Sequence, residues 1–393
     1  MSAPGRRRVA VTGLGAVSPG GVGAEALWAL VTRDHDAPVR RDVPDFDGAR
    51  WLERRDLRRT GRAAQYAVAA CVEAWEASGL GHVADPARVG IVLGNAFGAS
   101  DTLHEAARLH LEEGPEAVPP ASGLLACSSS LAAVPARHLG LRGPVMVASG
   151  ACASGVYGVA DGARLVAHGE ADVVLAGGVE GPISASVTAA YANLRASSRS
   201  GWERPFDRRR DGFVYAEGAG VLVLEAWDAA EARGAQILGE VAGWANTNDA
   251  HDMVRPTGTG AEDCMRLAVA SAGLSPADVV HVNAHGTGTA LNDPVEAEAI
   301  TAALDGARPS VTSVKGATGH GAGAAGAVEA LVVVQSFARR VLPPVGVDVE
   351  VDPAIDLDLV VGAPRPWVPG PTLDNAFGIG GQNGTVVLVP PTP

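Results

Sequence analysis

The segment Val147-Ala148-Ser149-Gly150-Ala151-Cys152-Ala153-Ser154-Gly155 places one cysteine at the centre of a run of small residues. Upstream, residues 143–147 read as a short buried strand, and residues 154–168 carry apolar side chains at the spacing of a helix. Cys152 is therefore expected at a strand-to-helix junction, where unpaired amides and the positive end of the helix dipole favour a thiolate. We interpret Cys152 as a nucleophile, and a buried structural cysteine is the alternative that this segment leaves open.

Two histidines follow predicted strands in a similar way and are flanked by glycines. His285 lies in Asn-Ala-His-Gly-Thr-Gly-Thr after the apolar run 279–282, and His320 lies in Gly-Ala-Thr-Gly-His-Gly after residues 309–314. Folds of the α/β class place active-site residues at the ends of such strands. The other eight of the ten histidines lack this context and are taken as ordinary core or surface residues. We therefore predict that His285 and His320 are catalytic.

With these residues in place, the chain resembles the β-ketoacyl synthases, the decarboxylating condensing enzymes of the thiolase superfamily. A Cys-His-His set marks the elongating branch of that family, whereas the priming branch uses Cys-His-Asn and thiolases use a second cysteine near the C-terminus. The last cysteine here is Cys264, which disfavours a thiolase. Besides the cysteine and histidine segments, the resemblance is carried by residues 9–15, 54–69, 141–144, 205–207, 211–213, 217–220 and 375–384.

The resemblance implies an α/β fold of the thiolase-like type, with two pseudo-duplicated βαβαβ-type halves in a layered α/β/α/β/α arrangement. Residues 1–230 would form the N-terminal half with the nucleophile, and residues 231–393 the C-terminal half with both histidines. A chain of 393 residues with 47% hydrophobic content can bury a large core, as one duplicated unit or two domains. No internal repeat is visible in the sequence, so this division depends on the resemblance.

The resemblance also implies a reaction, the decarboxylative Claisen condensation of an acyl thioester with malonyl-carrier protein in polyketide or fatty acid elongation. Cys152 would accept the acyl group, and the backbone amides of Cys152 and Ile379 would stabilise the oxyanion. Neutral His285 and His320 would donate hydrogen bonds from Nε2 to the enolate oxygen without quenching the carbanion. Such an enzyme is an acyltransferase, a β-ketoacyl-carrier-protein synthase, and the lack of fused carrier or reductase segments suggests a discrete, type II-like form.

Four more residues are expected to support the site. Lys315 and Glu329, the latter on a predicted helix over residues 322–338, would form a buried ion pair that supports the second histidine. Thr287 and Thr289 match family positions near the malonyl carboxylate or the pantetheine arm. A role in stabilising their own turn is the alternative.

Two departures from the family pattern bear on the substrate. The loop that commonly reads Phe-Gly-Phe-Gly-Gly is here Phe377-Gly378-Ile379-Gly-Gly, so Ile379 replaces the second aromatic, which gates the acyl pocket in relatives. A smaller side chain is expected to gate more loosely. Gly150 stands where relatives often have threonine or serine, and the sequence alone gives no reason for it.

Composition narrows the partners and the compartment. The net charge of −13 argues against a nucleic-acid partner, and the absence of about eighteen consecutive apolar residues argues against a membrane span. The four cysteines show neither disulfide nor metal spacing, so we expect a cytoplasmic protein without a metal. We also expect no cofactor, because the substrates would be carried on the phosphopantetheine of an acyl carrier protein.

An acidic acyl carrier protein would need a basic docking patch on this acidic chain. Arg58, Arg59 and Arg62 form the first candidate and the run 208–210 the second, because arginine suits phosphate and carboxylate recognition. A solvated face is the alternative for either. The resemblance further implies a dimer, either a homodimer or a heterodimer with a chain-length-factor-like subunit.

Two other functions stay open from the sequence. The chain could be a noncatalytic chain-length-type partner subunit, although such subunits usually lack the nucleophile that Cys152 supplies. It could also be a Cys-dependent acyltransferase without decarboxylation, which would not require both His285 and His320.

Overall fold

The structure, a computed structural model, describes residues 5–33, 38–81 and 85–391. The strands are β1 (Val9–Ser18), β2 (Gly21–Val22), β3 (Val89–Gly94), β4 (Val145–Ala148), β5 (Val173–Glu180), β6 (Gly218–Ala226), β7 (Gly239–Asn248), β8 (His281–Asn283), β9 (Ser310–Thr312), β10 (Val341–Leu342), β11 (Asp358–Leu359), β12 (Arg365–Pro366), β13 (Thr372–Gly378) and β14 (Gln382–Val389). The α-helices are α1 (Ala24–Thr32), α2 (Arg54–Leu57), α3 (Arg62–Ser78), α4 (Ser100–Glu113), α5 (Ser122–Leu125), α6 (Ser130–Leu139), α7 (Ser154–Ala167), α8 (Ala185–Asn193), α9 (Trp227–Ala232), α10 (Thr259–Ser271), α11 (Asn292–Ala303), α12 (Lys315–Thr318) and α13 (Ala325–Arg339).

The strands of the two halves repeat one pattern. The order is β4-β3-β5-β6-β1 in the N-terminal part and β9-β8-β13-β14-β7 in the C-terminal part. When these five strands of each part are counted along the chain, both orders are third, second, fourth, fifth, first. In each part the third, second and fourth strands pair in parallel. The fourth, fifth and first pair antiparallel in each part. This repetition confirms the pseudo-duplicated fold, and the predicted boundary after residue 230 falls within α9.

The helices and sheets form five layers. Helices α7 and α13 contact each other and lie between the two sets of strands, α7 against β3, β5 and β14 and α13 against β6 and β13. Helices α3 and α6 cover the outer face of the N-terminal strands, and α10, with α11 packed on it, covers the outer face of β7 and β14. The layered α/β/α/β/α arrangement is therefore confirmed.

The central helix α7 is made of small residues because the layers approach closely. A Cβ added to Gly158 would lie 2.0 Å from the carbonyl oxygen of Gly177 on β5. The helix is buried on nearly every side, as expected of a helix that is apolar all round. This packing fixes the helix start, which carries Cys152.

Four predicted elements differ from the observed ones. The strand expected to be buried, β4, is an edge strand with Val145 37% and Met146 41% exposed, because among the described strands it pairs with β3 alone. Strands β8 and β9 are shorter than their apolar runs. The helix expected over 322–338 begins with a 3-10 turn at Ala322–Ala324, where the N–H of Gly323 donates to the Glu180 carboxylate at 3.1 Å.

Within the described part of the chain, no helix combines the length and the apolar character that crossing a membrane requires.

Candidate active site

The predicted catalytic residues lie where strands of both halves end. The third strand of the N-terminal half, β4, runs into a turn in which Ala151 adopts a φ of 50°, and Cys152 follows directly before α7. A positive φ is uncommon for a residue with a side chain, so this turn is strained. His285 follows β8, and His320 lies between β9 and α13.

The structure brings the three predicted residues into one cluster. The Sγ atom of Cys152 and one ring nitrogen each of His285 and His320 lie within 4.8 Å of one another. The two imidazole rings are 5.3 Å apart between centroids and nearly perpendicular, at 78°. Both histidines are buried, whereas Cys152 is half-buried. A nucleophile and two proton-accepting or proton-donating groups therefore surround one reaction space.

The charge state of the cluster differs from the sequence expectation in one respect. Burial raises the pKa of the Cys152 thiol to about 11, although the Lys315 charge and the Ile379 amide act in the opposite direction. The resting nucleophile is therefore a thiol, because burial outweighs the groups that favour a thiolate. Burial and the nearby Lys315 ammonium lower the pKa of His285 and of His320 well below the usual value, so both are neutral at pH 7.

Lys315 directly contacts the first histidine, whereas the sequence led us to expect support of the second, on which its charge also acts. Its Nζ donates to the carbonyl oxygen of His285 at 2.6 Å and to Glu329 Oε1 at 2.5 Å, and it faces His285 Nδ1 at 3.5 Å. The reason is topological, since Lys315 directly follows the β9 end and β9 pairs with β8, which leads to His285. An ammonium only donates, so the facing Nδ1 is kept as an acceptor and the proton stays on Nε2.

Two buried carboxylates on α11 hold the loop that carries His285. Glu296 accepts the backbone N–H of His285 at 2.7 Å and of Gly286 at 2.8 Å. Asp293 accepts the N–H of Thr287 at 3.2 Å and of Phe206 at 2.7 Å. The sequence analysis missed both acids. Their spacing of three residues on a helix was the available signal, because it puts both on one face.

The glycine-rich loop after β13 reaches the nucleophile. The N–H groups of Ile379 and of Cys152 itself both interact with the Cys152 sulfur and lower the pKa of its thiol. A Cβ on Gly378 would lie 2.7 Å from the Gly150 carbonyl oxygen and 3.1 Å from the Cys152 nitrogen. Glycine at 378 is therefore what lets the loop approach closely enough to present the Ile379 amide.

A neighbouring tyrosine accounts for Gly150. A Cβ at this position would lie 2.3 Å from Cε2 of Tyr157, one turn into α7. The Tyr157 hydroxyl reaches Gln382 Oε1 and the Asn383 carbonyl oxygen, both at 3.3 Å. The tyrosine ring thus occupies the space that a threonine or serine side chain would need.

Two cavities meet at the nucleophile. The first, of about 200 Å³, contains Thr287, Thr289, Phe377 and Gly378 in its wall. Thr289 Oγ1 also accepts the N–H of Asn292 at 3.2 Å, so this threonine both lines the cavity and stabilises its turn. The outer wall of this cavity includes a group of exposed apolar side chains, which are Leu194, Met253, Val254 and Leu291.

The second cavity, of about 190 Å³, lies on the other side of Ile379. Cys152, Phe213, His320 and Ile379 line both cavities. Phe213 packs edge-on against His320, with 5.3 Å between ring centroids. Ile379, the residue that the resemblance implies as a gate, is therefore one of the four side chains that the two cavities share.

The predicted docking arginines lie away from these cavities. Arg58 and Arg59 are exposed, and Arg62 donates to the Phe46 carbonyl oxygen at 3.3 Å. None of the three lines either cavity that contains Cys152. Arg195, which the sequence analysis missed, lines the first cavity beside its apolar outer wall.

The second predicted basic patch is not free to bind a partner. Arg208 pairs with Glu350, and Arg210 pairs with Asp352 at 2.6 Å. Arg209 pairs with Asp207, Asp348 and Glu350. Acidic side chains of residues 348–352 thus neutralise a run that looked exposed in the sequence.

Cys152, His285 and His320 are also residue types that bind metals. A metal ion bound by these three residues would lie close to the buried ammonium of Lys315, because Lys315 Nζ is 3.5 Å from His285 Nδ1. This repulsion favours a nucleophilic over a metal-ligating use of the cluster.

Comparison with known proteins gives a consistent result. Residues 39–230 match the family described as beta-ketoacyl synthase, N-terminal domain, and residues 238–346 match beta-ketoacyl synthase, C-terminal domain. The 3-oxoacyl-(acyl-carrier-protein) synthase 2 of Synechocystis sp. is 34% identical over 407 residues, which cover 98% of each chain. That of Mycobacterium bovis is 36% identical over 400 residues, which cover 95% of each chain.

Solved structures show the same similarity. The ishigamide ketosynthase/chain length factor superimposes with a TM-score of 0.92 at 32% identity. A beta-ketoacyl synthase from Burkholderia phymatum gives 0.91 at 30% identity. A type II PKS acyl-carrier protein in complex with its ketosynthase bound to the hexaketide gives 0.86 at 26% identity. Each match covers 98% of this chain and 100% of the other.

Proposed function

The chain belongs to the β-ketoacyl synthase family, and from that premise we propose that it is an elongating β-ketoacyl-carrier-protein synthase. It joins an acyl group held on Cys152 to malonyl-carrier protein by decarboxylative Claisen condensation. The observation that carries this proposal is the cluster in which Cys152 Sγ and the ring nitrogens of His285 and His320 lie within 4.8 Å of one another.

The first half-reaction is acyl transfer to Cys152. The thiol attacks the carbonyl carbon of an acyl thioester while its proton passes to the neutral imidazole of His320, since Lys315 faces the acceptor nitrogen of His285. The N–H groups of Cys152 and Ile379 bind the resulting oxyanion. They are suited to this role because both already interact with the sulfur that carries the acyl group. Collapse of the intermediate releases the carrier thiol, which takes up the proton and leaves an acyl-enzyme.

The second half-reaction forms the new carbon–carbon bond. Malonyl thioester loses carbon dioxide, and the electron pair of the broken bond forms an enolate whose oxygen accepts hydrogen bonds from His285 and His320. Neutral imidazoles suit this task because they donate without readily protonating the carbanion. The enolate carbon attacks the acyl-Cys152 carbonyl, and the sulfur leaves as a thiolate and is reprotonated. Lys315 takes part as a positioning residue that keeps the proton of His285 on Nε2.

The two cavities suit two parts of the substrate. The first, with Thr287 and Thr289 in its wall, would hold the pantetheine arm and the malonyl group. The second would hold the growing acyl chain. Ile379 then acts as the gate between them, next to Phe377 and Gly378 of the same loop.

An acyl carrier protein is the partner that this reaction requires, and one solved relative is a ketosynthase in complex with such a protein. Arg58, Arg59 and Arg62 remain our proposed docking residues, with Arg195 as an addition beside the first cavity. Substrates arrive on the phosphopantetheine of the carrier, so the enzyme itself needs no cofactor or metal.

A dimer is the assembly that we propose. The exposed Val145 and Met146 of the edge strand β4 support a second subunit on that edge. A homodimer and a heterodimer with a chain-length-factor-like subunit both fit this surface, and the ishigamide relative is a ketosynthase/chain length factor. A cytoplasmic location fits the cysteines, since Cys71, Cys127, Cys152 and Cys264 are all free.

Intact-mass spectrometry tests the function directly. Wild type, Cys152→Ala and the control Cys127→Ala, which removes an exposed free cysteine, are incubated with acyl-carrier protein and then with malonyl-carrier protein. Wild type and the control should gain one acyl group and then release a product two carbons longer, and Cys152→Ala should gain none. Acylation without extension would instead identify an acyltransferase without decarboxylation. No adduct on wild type would favour a noncatalytic subunit.

A further inference from the structure

The second cavity is bounded by a connected set of aromatic rings that starts at the catalytic His320. Phe213 packs against His320, Tyr191 against Phe213, and Phe97 against both Tyr191 and Tyr215. Successive ring centroids are 5.3 to 6.1 Å apart, with interplanar angles of 67° to 88°. Edge-to-face contacts of this kind hold each ring in a defined orientation. The hydroxyl of Tyr191 is therefore held in place by its neighbours.

Two tyrosines of this cavity differ in what their hydroxyls do. The Tyr215 hydroxyl donates to the Gly181 carbonyl oxygen. The Tyr191 hydroxyl has no hydrogen-bond partner within residues 5–33, 38–81 and 85–391, although Tyr191 lines the cavity together with Thr188 and Ala192 of the same face of α8. Burial raises the pKa of Tyr191 to about 12, so its phenol stays protonated at neutral pH. Tyr191 thus presents an unused hydrogen-bond donor beside the acyl-binding space.

Two further polar side chains of this cavity can donate a hydrogen bond. Ser197 and Arg41 line it, and neither side chain has a hydrogen-bond or ion-pair partner among the described residues. No carboxylate occurs among the described residues that line it, whereas the first cavity includes Asp249 and Asp252. A saturated hydrocarbon chain would cover these donors without satisfying them, which is unfavourable. A chain with carbonyl oxygens would satisfy them.

We propose that the second cavity selects acyl chains that carry keto oxygens, as in a β-oxoacyl or poly-β-ketone chain, over saturated acyl chains, with Tyr191 as the specificity-determining donor. The proposal rests on the proposed function, because it takes this cavity as the place of the acyl group on Cys152. It adds the class of acyl substrate, which the catalytic cluster alone does not define. Selection by this donor is effective because a saturated chain that covers it displaces water and leaves the hydroxyl unpaired.

The test compares two thioesters of equal length on three proteins. The rate of Cys152 acylation is measured by intact mass with hexanoyl- and 3-oxohexanoyl-pantetheine, on wild type, Tyr191→Phe and Tyr215→Phe. The two thioesters differ in intrinsic reactivity, so the ratio of their acylation rates is compared between the three proteins. That difference is the same for each protein and cancels in the comparison. Phenylalanine keeps the ring contacts of Tyr191 with Phe97 and Phe213, so the fold is retained.

Tyr191→Phe should lower the ratio of 3-oxohexanoyl to hexanoyl acylation about three- to tenfold, the effect of losing one hydrogen bond. Tyr215→Phe should leave the ratio unchanged, because that hydroxyl is already bonded to Gly181. An unchanged ratio in Tyr191→Phe, or an equal change in both variants, overturns the assignment of Tyr191. If wild type is acylated by neither thioester, the proposed function itself fails.

Discussion

In the N-terminal half the third strand, β4, leads to Cys152 at the start of the central helix α7, while in the C-terminal half the third strand, β9, leads to Lys315 and His320 before the central helix α13. The second strands compare in the same way. Asn95 follows β3 and bonds within the N-terminal half, whereas His285 follows β8 and faces the reaction space. One backbone arrangement thus supplies the nucleophile in one half and the imidazoles in the other.

One buried glutamate in each half also shows two different ways of stabilising a buried charge. The buried Glu180 carboxylate, at the end of β5, accepts hydrogen bonds from the Asn95 side chain and from the N–H groups of Ala96 and Gly323. No cationic side chain of the described residues pairs with it. In the C-terminal half, by contrast, Glu329 contacts the fully buried ammonium of Lys315. Burial is the largest cause that lowers the pKa of His285 and of His320, and this ammonium is the second. The difference teaches that the buried positive charge of Lys315 acts together with burial to hold His285 and His320 in the neutral form.

Removal of that charge should have the largest effect on stability. Lys315→Met leaves Glu329 buried and unpaired, which should lower the free energy of unfolding by about 3–5 kcal/mol in urea titrations. Glu180→Gln keeps the volume and loses only part of the amide hydrogen bonding, so about 1–2 kcal/mol is expected. Arg308→Gln, which breaks an exposed ion pair with Asp356, is the control and should change little. Equal losses for Lys315→Met and Glu180→Gln would remove the distinction between the halves.

A second prediction separates acylation, which we assign to Cys152 in the N-terminal half, from decarboxylation, which we assign to the two histidines in the C-terminal half. His285→Ala and His320→Ala should each slow carbon dioxide release from malonyl thioester about 10²- to 10³-fold, because each removes a donor to the enolate. Cys152→Ala should abolish acylation yet still release carbon dioxide, since both imidazoles remain. His110→Ala, at an exposed position on α4, serves as the matched control. The division would be wrong if Cys152→Ala lost decarboxylation as completely as the histidine variants.

The smallest expected effect concerns the turn before the nucleophile. Gly150→Ala places a Cβ 2.3 Å from Tyr157 Cε2, and such overpacking should cost about 1–3 kcal/mol of stability and slow acylation. Gly123→Ala is a suitable control, because an added Cβ there meets no atom within 4 Å. Combining Gly150→Ala with Tyr157→Leu should recover part of the loss. Melting temperature and acylation rate measured together would reveal whether the two residues are coupled.

Part of the site could be predicted because its signals are local. Cys152, His285 and His320 each follow a strand pattern and lie among glycines or other small residues, so a short window of sequence is enough to find them. Asp293 and Glu296 could not be found in this way, since an acid on a helix usually faces solvent, and only packing shows that both are buried. Phe97, Tyr191 and Tyr215 were also missed, because their ring contacts join segments that are far apart in the chain.

The sequence by itself identified the family through a resemblance, which implied the duplicated α/β fold. It also singled out Cys152, His285 and His320 as the predicted catalytic residues, because residue identity and the pattern at each strand end are written along the chain. The tertiary structure decided that Lys315 supports His285, that the Cys152 thiol is protonated at rest and that Tyr157 requires Gly150. These properties depend on burial and on distances between residues that are remote in sequence. Such quantities exist only once the chain is folded, since desolvation and charge proximity set both the pKa values and the contacts.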